Sequence, residues 1–195
     1  NSNRGSIAYV GTDYTVKMVQ QAFDYFDEDF MKDNTIVDNM LKGANQVMVN
    51  KMTADFTAEL AKATVSAPFS TFGYEAIVDG ISALNIEDES KLFVVIPNAW
   101  KAQLRKDADY KAARMGEVVY NGQVGTICGI PVIASKALTD AAYVMTNEAV
   151  KLFMKKDVEV EQDRDIERKK NTIVLTTYYI CALADATKIA KLAKG

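Results

Sequence analysis

Hydrophobic and polar positions divide the chain into a mainly helical first half and a strand-rich second half. In the first half, apolar residues recur at three- and four-residue steps, which predicts an amphipathic helix from a cap at Asp33 or Asn34 to about Lys62. A helix of about 28 residues is roughly 40 Å long. Gly43 lies inside it and costs about 1 kcal/mol relative to alanine. The apolar positions are Ile36, Met40, Leu41, Val47, Met48, Met52, Phe56 and Leu60.

The segment before this helix, from Thr12 to Lys32, fits two periods. Val16, Val19 and Phe23 follow helical spacing, whereas Tyr14, Val16 and Met18 alternate as in a strand. Periodicity therefore leaves both structures open, and the strand is preferred only because of the resemblance described below.

After the long helix the pattern changes element by element. Ser66 to Ser70 contains Pro68 and is interpreted as a linker, and a second helix is expected from Thr71. The continuous apolar run Leu92–Ile96 predicts a strand buried on both faces.

The next segment, KAQLRKDADYKAAR, is heavily charged. Asn98 is expected to cap a short helix that carries Trp100 and Leu104. Beyond Asp107 few residues need burial, so an exposed loop is expected there.

Strands dominate the sequence from Glu117 onward. A hairpin is expected around Thr146 and Asn147, and the alternation of valine with glutamate from Val158 to Glu161 predicts a sheet with one face in water. The predicted strands are VVY, GTICGIPVIAS, AYVMT, VKLFM, VEVEQ and TIVLTTYYICALA.

Composition narrows the possible chemistry. The 195 residues are 49% hydrophobic with a net charge of −3, which is typical of a globular chain and provides no basic surface for nucleic acid. The chain has no histidine, which excludes Ser-His and Cys-His nucleophiles. Cys128 and Cys181 are expected to be buried apolar residues. With no phosphate-binding or metal-ligand motif, no catalytic, cofactor-binding or metal-ligating residue is assigned.

One catalytic alternative stays open. Carboxylate pairs such as Asp24 with Asp27, or Asp163 with Asp165, can divide acid and base roles, as in a small α/β enzyme. A deep pocket with two carboxylates of raised pKa is the observation that would support this class.

The order of the quoted segments resembles a known family. YEAIVDGISAL, KLFVVIPNAW, a charged tip, GIPVIAS and then MTNEAVKLFMKKDVEVEQDRD and TIVLTTYYICA resemble the major capsid protein of tailed bacteriophages or prophages. The resemblance implies an α+β chain of the Hong Kong 97-type fold, with a long spine helix, a peripheral antiparallel sheet and a central α/β axial domain. Residues 12–66 and 137–195 would form the peripheral domain, 67–136 the axial domain, and 1–11 a remnant of the extended loop or N-terminal region.

The same resemblance implies a structural subunit, not an enzyme, that assembles with copies of itself into hexamers and pentamers around the genome. The chain would lie in the virion capsid after assembly in the bacterial host cytoplasm, near packaged DNA and away from membranes, with scaffolding protein or a head-maturation protease as further partners. An encapsulin-type nanocompartment shell is the alternative of the same fold. The charged axial loop supplies the candidate subunit-contact residues Lys106, Asp107, Asp109, Tyr110, Lys111 and Arg114.

The front of the chain departs from the family pattern. It begins at Asn1, and the family's N-terminal arm and most of its extended loop have no counterpart in it. On that basis the chain is expected to be a fragment that is monomeric or weakly associated.

Overall fold

A computed structural model describes residue 11, residues 13–113 and residues 125–195. Within these residues the chain forms two sheets and five α-helices. The strands are β1 (Lys17–Phe26), β2 (Val65–Phe69), β3 (Leu92–Pro97), β4 (Thr126–Ile127), β5 (Ile130–Ser135), β6 (Ala141–Thr146), β7 (Val150–Asp165), β8 (Lys170–Leu183) and β9 (Ile189–Lys194). The helices are α1 (Asp27–Lys32), α2 (Ile36–Leu60), α3 (Tyr74–Leu84), α4 (Lys101–Lys106) and α5 (Ala108–Ala113), with short 3-10 turns at Glu89–Lys91, Asn98–Trp100 and Ala186–Lys188.

The first sheet is antiparallel and has the order β1-β8-β7. The preferred strand at the front of the chain is therefore confirmed as β1. Helix α2 packs on one face of this sheet, where Ala44 and Met48 contact Ile173 and Leu175. The partners of these β8 residues in β1 and β7 share that face, because neighbouring residues in register point to the same side of a sheet.

The second sheet has the order β2-β9-β6-β3-β5-β4. It is mixed: β2 with β9 and β3 with β5 are parallel, and the other neighbours are antiparallel. Helix α3 covers one face with Ile77 and Ile81, against Val94 and Val144. Leu60, at the end of α2, lies on the opposite face.

This two-sided cover explains the apolar run in β3. Val94 belongs to the cluster under α3, whereas Val95 belongs to the cluster around Leu60. The prediction of a strand buried on both faces is confirmed, and β6 is buried throughout for the same reason.

The predicted long helix is also confirmed, as the 25 residues of α2. Its start and end each lie two residues inside the expected limits. A Cβ added at Gly43 would meet nothing within 4 Å, so packing does not require a glycine at this position of the helix.

Two predictions about the connecting segments are wrong. The expected linker is strand β2, and Pro68 is tolerated because β2, within the described residues, is an edge strand that pairs only with β9. The expected exposed loop beyond Asp107 is helix α5, whose Tyr110 is 6% exposed in the core under α3.

Smaller differences occur where helices begin. The second helix starts at Tyr74 and not at Thr71, and the short helix after β3 is a 3-10 turn starting at Asn98 followed by α4. Leu104 of α4 is fully buried, as its helical spacing requires.

Three predictions about the strand-rich half need correction. No hairpin forms at Thr146 and Asn147, because β6 lies in the six-stranded sheet and β7 in the three-stranded sheet. GTICGIPVIAS is two strands joined by a tight turn at Cys128 and Gly129, both with positive φ, as a two-residue hairpin turn of type I′ requires. Cys128 is consequently exposed, whereas Cys181 is buried as expected. The predicted strand VVY lies outside the described residues.

The proposed division into domains separates strands of one sheet. A boundary at residue 137 assigns β6 and β9 to the peripheral part, yet both are hydrogen-bonded into the six-stranded sheet with β2 and β3. The chain passes between the sheets along α2, at the turn after β6 and at the 3-10 turn after β8.

Candidate subunit-contact surfaces

The candidate contact residues of the axial segment fall into two groups. Lys106, Asp109 and Lys111 are exposed on α4 and α5 and are free to meet a neighbouring molecule. Asp107 and Tyr110 instead support the fold: Tyr110 is buried, and Asp107 lies between the two helices and is half-buried. Arg114 lies outside the described residues.

Asp107 caps two helices with one carboxylate. Its Oδ2 accepts a hydrogen bond from the backbone N–H of Tyr74, at 2.7 Å, at the start of α3. Its Oδ1 accepts from the N–H groups of Asp109, at 2.9 Å, and Tyr110, at 3.4 Å, at the start of α5. Unpaired N–H groups at helix starts are stabilised by such acceptors. Asp107 therefore holds the charged segment against α3.

These hydrogen bonds predict a pH dependence. The bond from the Tyr74 N–H, with smaller contributions from Asp109, Tyr110 and Lys111, lowers the pKa of the Asp107 carboxyl although burial opposes the shift. A carboxyl with a lowered folded-state pKa stabilises the fold above its unfolded value of about 3.9, and this stabilisation is lost as pH falls through the folded pKa. Below about pH 4, we expect the free energy of unfolding to fall less steeply with decreasing pH in Asp107→Asn than in the wild-type protein.

The measurement is urea unfolding at several pH values, with Asp79→Asn, an exposed carboxyl on α3, as the matched control. Equal acid sensitivity of wild-type protein and Asp107→Asn would show that the cap does not titrate with the fold.

Strand β7 is the most exposed long element of the described chain. Along its 16 residues only Val150 is buried. Large apolar side chains on both of its faces are about half exposed: Leu152 48%, Phe153 51%, Met154 44%, Val158 43% and Val160 55%. The sheet as a whole has one face covered by α2, as predicted, but α2 packs on β1 and β8 and leaves most of β7 exposed on both faces.

A second exposed apolar surface lies at the end of the three-stranded sheet where β1 meets α1. Met31 is 84% exposed, and Ile166, in the β7–β8 turn, is 71% exposed. The Asp27 carboxylate fixes this end by accepting hydrogen bonds from Arg164 Nη2, at 2.9 Å, and from Asn171 Nδ2, at 2.8 Å.

The long helix is joined to the sheet by a partly buried polar contact. The hydroxyl of Tyr179, on β8, donates to Oδ2 of Asp55, on α2, at 2.8 Å, and Asp55 also binds Lys51. Burial and this hydrogen bond raise the pKa of Tyr179, so the hydroxyl stays a donor at neutral pH. Burial opposes ionisation of Asp55, but the bonds from Lys51 and Tyr179 outweigh it and lower the pKa of that carboxyl.

We expect Tyr179→Phe to lower the free energy of unfolding by about 1–3 kcal/mol, because it removes a hydrogen bond to a charged acceptor while the ring still fills its site. Chemical denaturation is the measurement. Tyr178→Phe is the matched control, since Tyr178 lies next in the strand on the opposite face. Equal stability of the two variants would show that the tether contributes nothing net.

The described residues give little support to the catalytic alternative. Asp24 is bound by Lys170 and Thr172, and these hydrogen bonds lower the pKa of its carboxyl. The bond from Asn171 lowers the pKa of Asp27 in the same way, aided by Arg164. A carboxyl acid needs the opposite shift.

Two further searches cover the described part only. No cluster there of three or more cysteine or carboxylate side chains could hold a metal ion. Among those residues, no helix has the length and apolar character needed to cross a membrane.

Sequence reasoning missed both exposed apolar surfaces. Ile166 is a single apolar residue in a charged stretch and Met31 follows only Phe30, so neither gives a periodic signal. For β7 the sequence does contain a sign of exposure, because charged residues recur along the strand, as lysines up to Lys156 and as carboxylates from Asp157 onward.

With this geometry in place, comparison with known proteins identifies the family. The phage capsid protein family matches residues 9–192, and the chain belongs to it. The major capsid protein of Staphylococcus phage phiMR11 is 27% identical over 153 residues, covering 75% of this chain and 55% of that protein. The chain thus spans about half the length of this curated relative.

Solved structures agree on the fold. The capsid of an empty GTA particle has a TM-score of 0.78 at 13% identity, covering 100% of this chain and 81% of that chain. An encapsulin from Synechococcus elongatus has a TM-score of 0.73 at 12% identity, covering 92% and 74%. Identities this low show the fold alone, which is the expected α+β, Hong Kong 97-type capsid fold.

Proposed function

We propose that this chain is the structural subunit, or a large part of it, of an icosahedral phage or prophage head shell. The observation that carries the proposal is the match of residues 9–192 to the phage capsid protein family. The exposed apolar surfaces on β7 and at Met31 and Ile166 support it, because large exposed apolar patches mark sites of protein association.

The partners in this proposal are copies of the same chain, in hexamers and pentamers. The GTA capsid to which the chain is similar was determined with C5 symmetry, which fits a fivefold ring of subunits in that particle. Closed symmetric assembly lets many weak contacts add to a stable shell. Scaffolding protein, a head-maturation protease and assembly in the bacterial cytoplasm before incorporation into the virion belong to the same proposal.

In this proposal the chain performs no catalysis and binds no cofactor. Of the carboxylates that could have formed an acid–base pair, Asp24 and Asp27 are held in ion pairs and hydrogen bonds that favour their charged form. The acidic composition also favours contact with packaged DNA through proximity and not through a basic binding surface.

A nanocompartment shell is the second candidate, favoured by the similarity to the Synechococcus elongatus encapsulin. The two functions differ in what the shell encloses. Particles purified from cells that carry the natural genome would contain nuclease-protected DNA in the first case and a protein cargo in the second.

The experiment is expression of the full-length gene followed by electron microscopy of the purified product. Closed icosahedral particles are expected, and the empty vector is the control. A full-length product that stays monomeric at all concentrations, in the presence of its genomic neighbours, would contradict a shell function.

A further inference from the structure

The exposed strand β7 has a self-complementary arrangement of charged and apolar residues. When the segment Lys151–Glu161 is reversed about Lys156, apolar positions fall opposite apolar positions and positive charges opposite negative ones. The opposed pairs are Lys151 with Glu161, Leu152 with Val160, Met154 with Val158, and Lys155 with Asp157. Two positions depart from the pattern: Phe153 falls opposite Glu159, and Lys156 falls opposite its own copy, where Glu159 of the same chain already pairs with its charge.

The side chains in this pattern are available. Lys156 binds Glu159 within the chain. In the described part of the chain, Lys151, Lys155, Asp157 and Glu161 take part in no salt bridge. The apolar members are 43–55% exposed. The strand therefore presents both unpaired charges and uncovered apolar surface.

The strand also lies at an edge. Among the described residues β7 pairs only with β8, so its other side faces outward. Proteins usually protect such edges with charged residues and bulges, and β7 has both, with register shifts between Met154 and Lys156 and between Lys156 and Glu159. The lysines lie in the first half of this segment and the carboxylates in the second half. A second copy of β7 therefore fits in one orientation: a parallel copy would bring like charges together, whereas an antiparallel copy brings opposite charges together on either side of Lys156.

We propose that β7 binds β7 of a second copy of this chain in antiparallel orientation, about a twofold axis at Lys156. Outward from the axis, one set of ion pairs, Lys155 with Asp157, comes first and the other, Lys151 with Glu161, comes last, and the apolar pairs lie between them. Because β7 bulges at the centre, side chains carry the contact there, while regular strand pairing is confined to its ends. The inference rests on the proposed shell function, for which it names one twofold contact between subunits.

A cysteine at the axis tests the contact directly. In a Cys128→Ser background, which removes the exposed native thiol, Lys156→Cys brings the two new thiols together at the axis. Mild oxidation of the full chain is expected to give a disulfide-linked dimer on a non-reducing gel, increasing with protein concentration. Ile133→Cys is the matched control: Ile133 is 52% exposed and the Lys156 side chain 51%, but Ile133 lies on β5 of the other sheet.

Charge reversal tests the pairing. Lys151→Glu should weaken dimer formation by about tenfold, because the twofold axis makes each reversal count twice. Adding Glu161→Lys in the same chain restores the opposite charges and should restore the dimer. High salt should weaken the wild-type contact and act less on the apolar pairs.

The outcomes separate this inference from the shell function. Efficient cross-linking of Lys156→Cys but not Ile133→Cys, with loss and recovery in the charge variants, supports the contact. No preferential cross-linking, or no recovery in the double reversal, overturns it, and closed particles from the full-length gene with the same result would leave the shell function intact.

Discussion

Replacing Leu60 with alanine is expected to lower the free energy of unfolding by about 2–5 kcal/mol, the largest effect of any single side-chain truncation considered for this chain. Leu60 is fully buried at the last turn of α2. It contacts a cluster that contains Val95 and Ile189 of the six-stranded sheet and Val150 at the start of β7. The truncation therefore leaves a cavity where the long helix and both sheets meet.

The measurement is chemical denaturation, with Val49→Ala as the matched control because Val49 is on the same helix and 55% exposed. Hydrogen exchange adds a local test: amides at the end of α2 and the start of β7 should lose protection more than those of β5. A variant as stable as Val49→Ala would show that the cluster around Leu60 does not join the two sheets.

Sequence could predict the elements in which each buried face packs against protein along most of its length, because such a face is apolar throughout. Helix α2 was predicted because its apolar side packs on one sheet along much of its length. Strand β3 was predicted because helices cover both of its sides, which leaves an unbroken apolar run.

The elements that sequence could not predict depend on distant partners. The sequence around Thr146 and Asn147 predicts a turn. The local sequence does not determine whether the following strand returns to the same sheet or enters another. Strand β2 contains Pro68 and forms only because β9, more than a hundred residues later, pairs with it. The exposure of β7 likewise depends on the position of α2, which lies over β1 and β8.

The candidate contact residues show the same division. The charged sequence after Trp100 predicted exposed side chains, and this is correct for Lys106, Asp109 and Lys111. They could not indicate that Asp107 caps two helices or that Tyr110 enters the core, because both roles require α3 to lie against the segment. Whether the exposed residues contact a neighbouring subunit stays a prediction.

Replacing Gly73 with alanine is expected to destabilise the fold by about 1–3 kcal/mol through the Asp107 cap. A Cβ at Gly73 would lie 2.1 Å from Oδ2 of Asp107, closer than any real contact. Gly73 itself is extended, with φ −163°, so alanine meets no backbone strain and the effect is steric. The carboxylate must move away, and α3 then loses its acceptor at the Tyr74 N–H.

A double-mutant cycle isolates this cause. Asp107→Ala alone removes the cap and is expected to cost about 1–2 kcal/mol. If the steric displacement of Asp107 is the whole effect, Gly73→Ala should cost almost nothing further in the Asp107→Ala background, because the clashing oxygen is gone. Additive losses in urea unfolding would instead mean that Gly73 serves the chain independently of the cap. The strongly coupled result would show that Gly73 acts through the Asp107 carboxylate, which together with the buried Tyr110 positions the exposed residues of the charged segment.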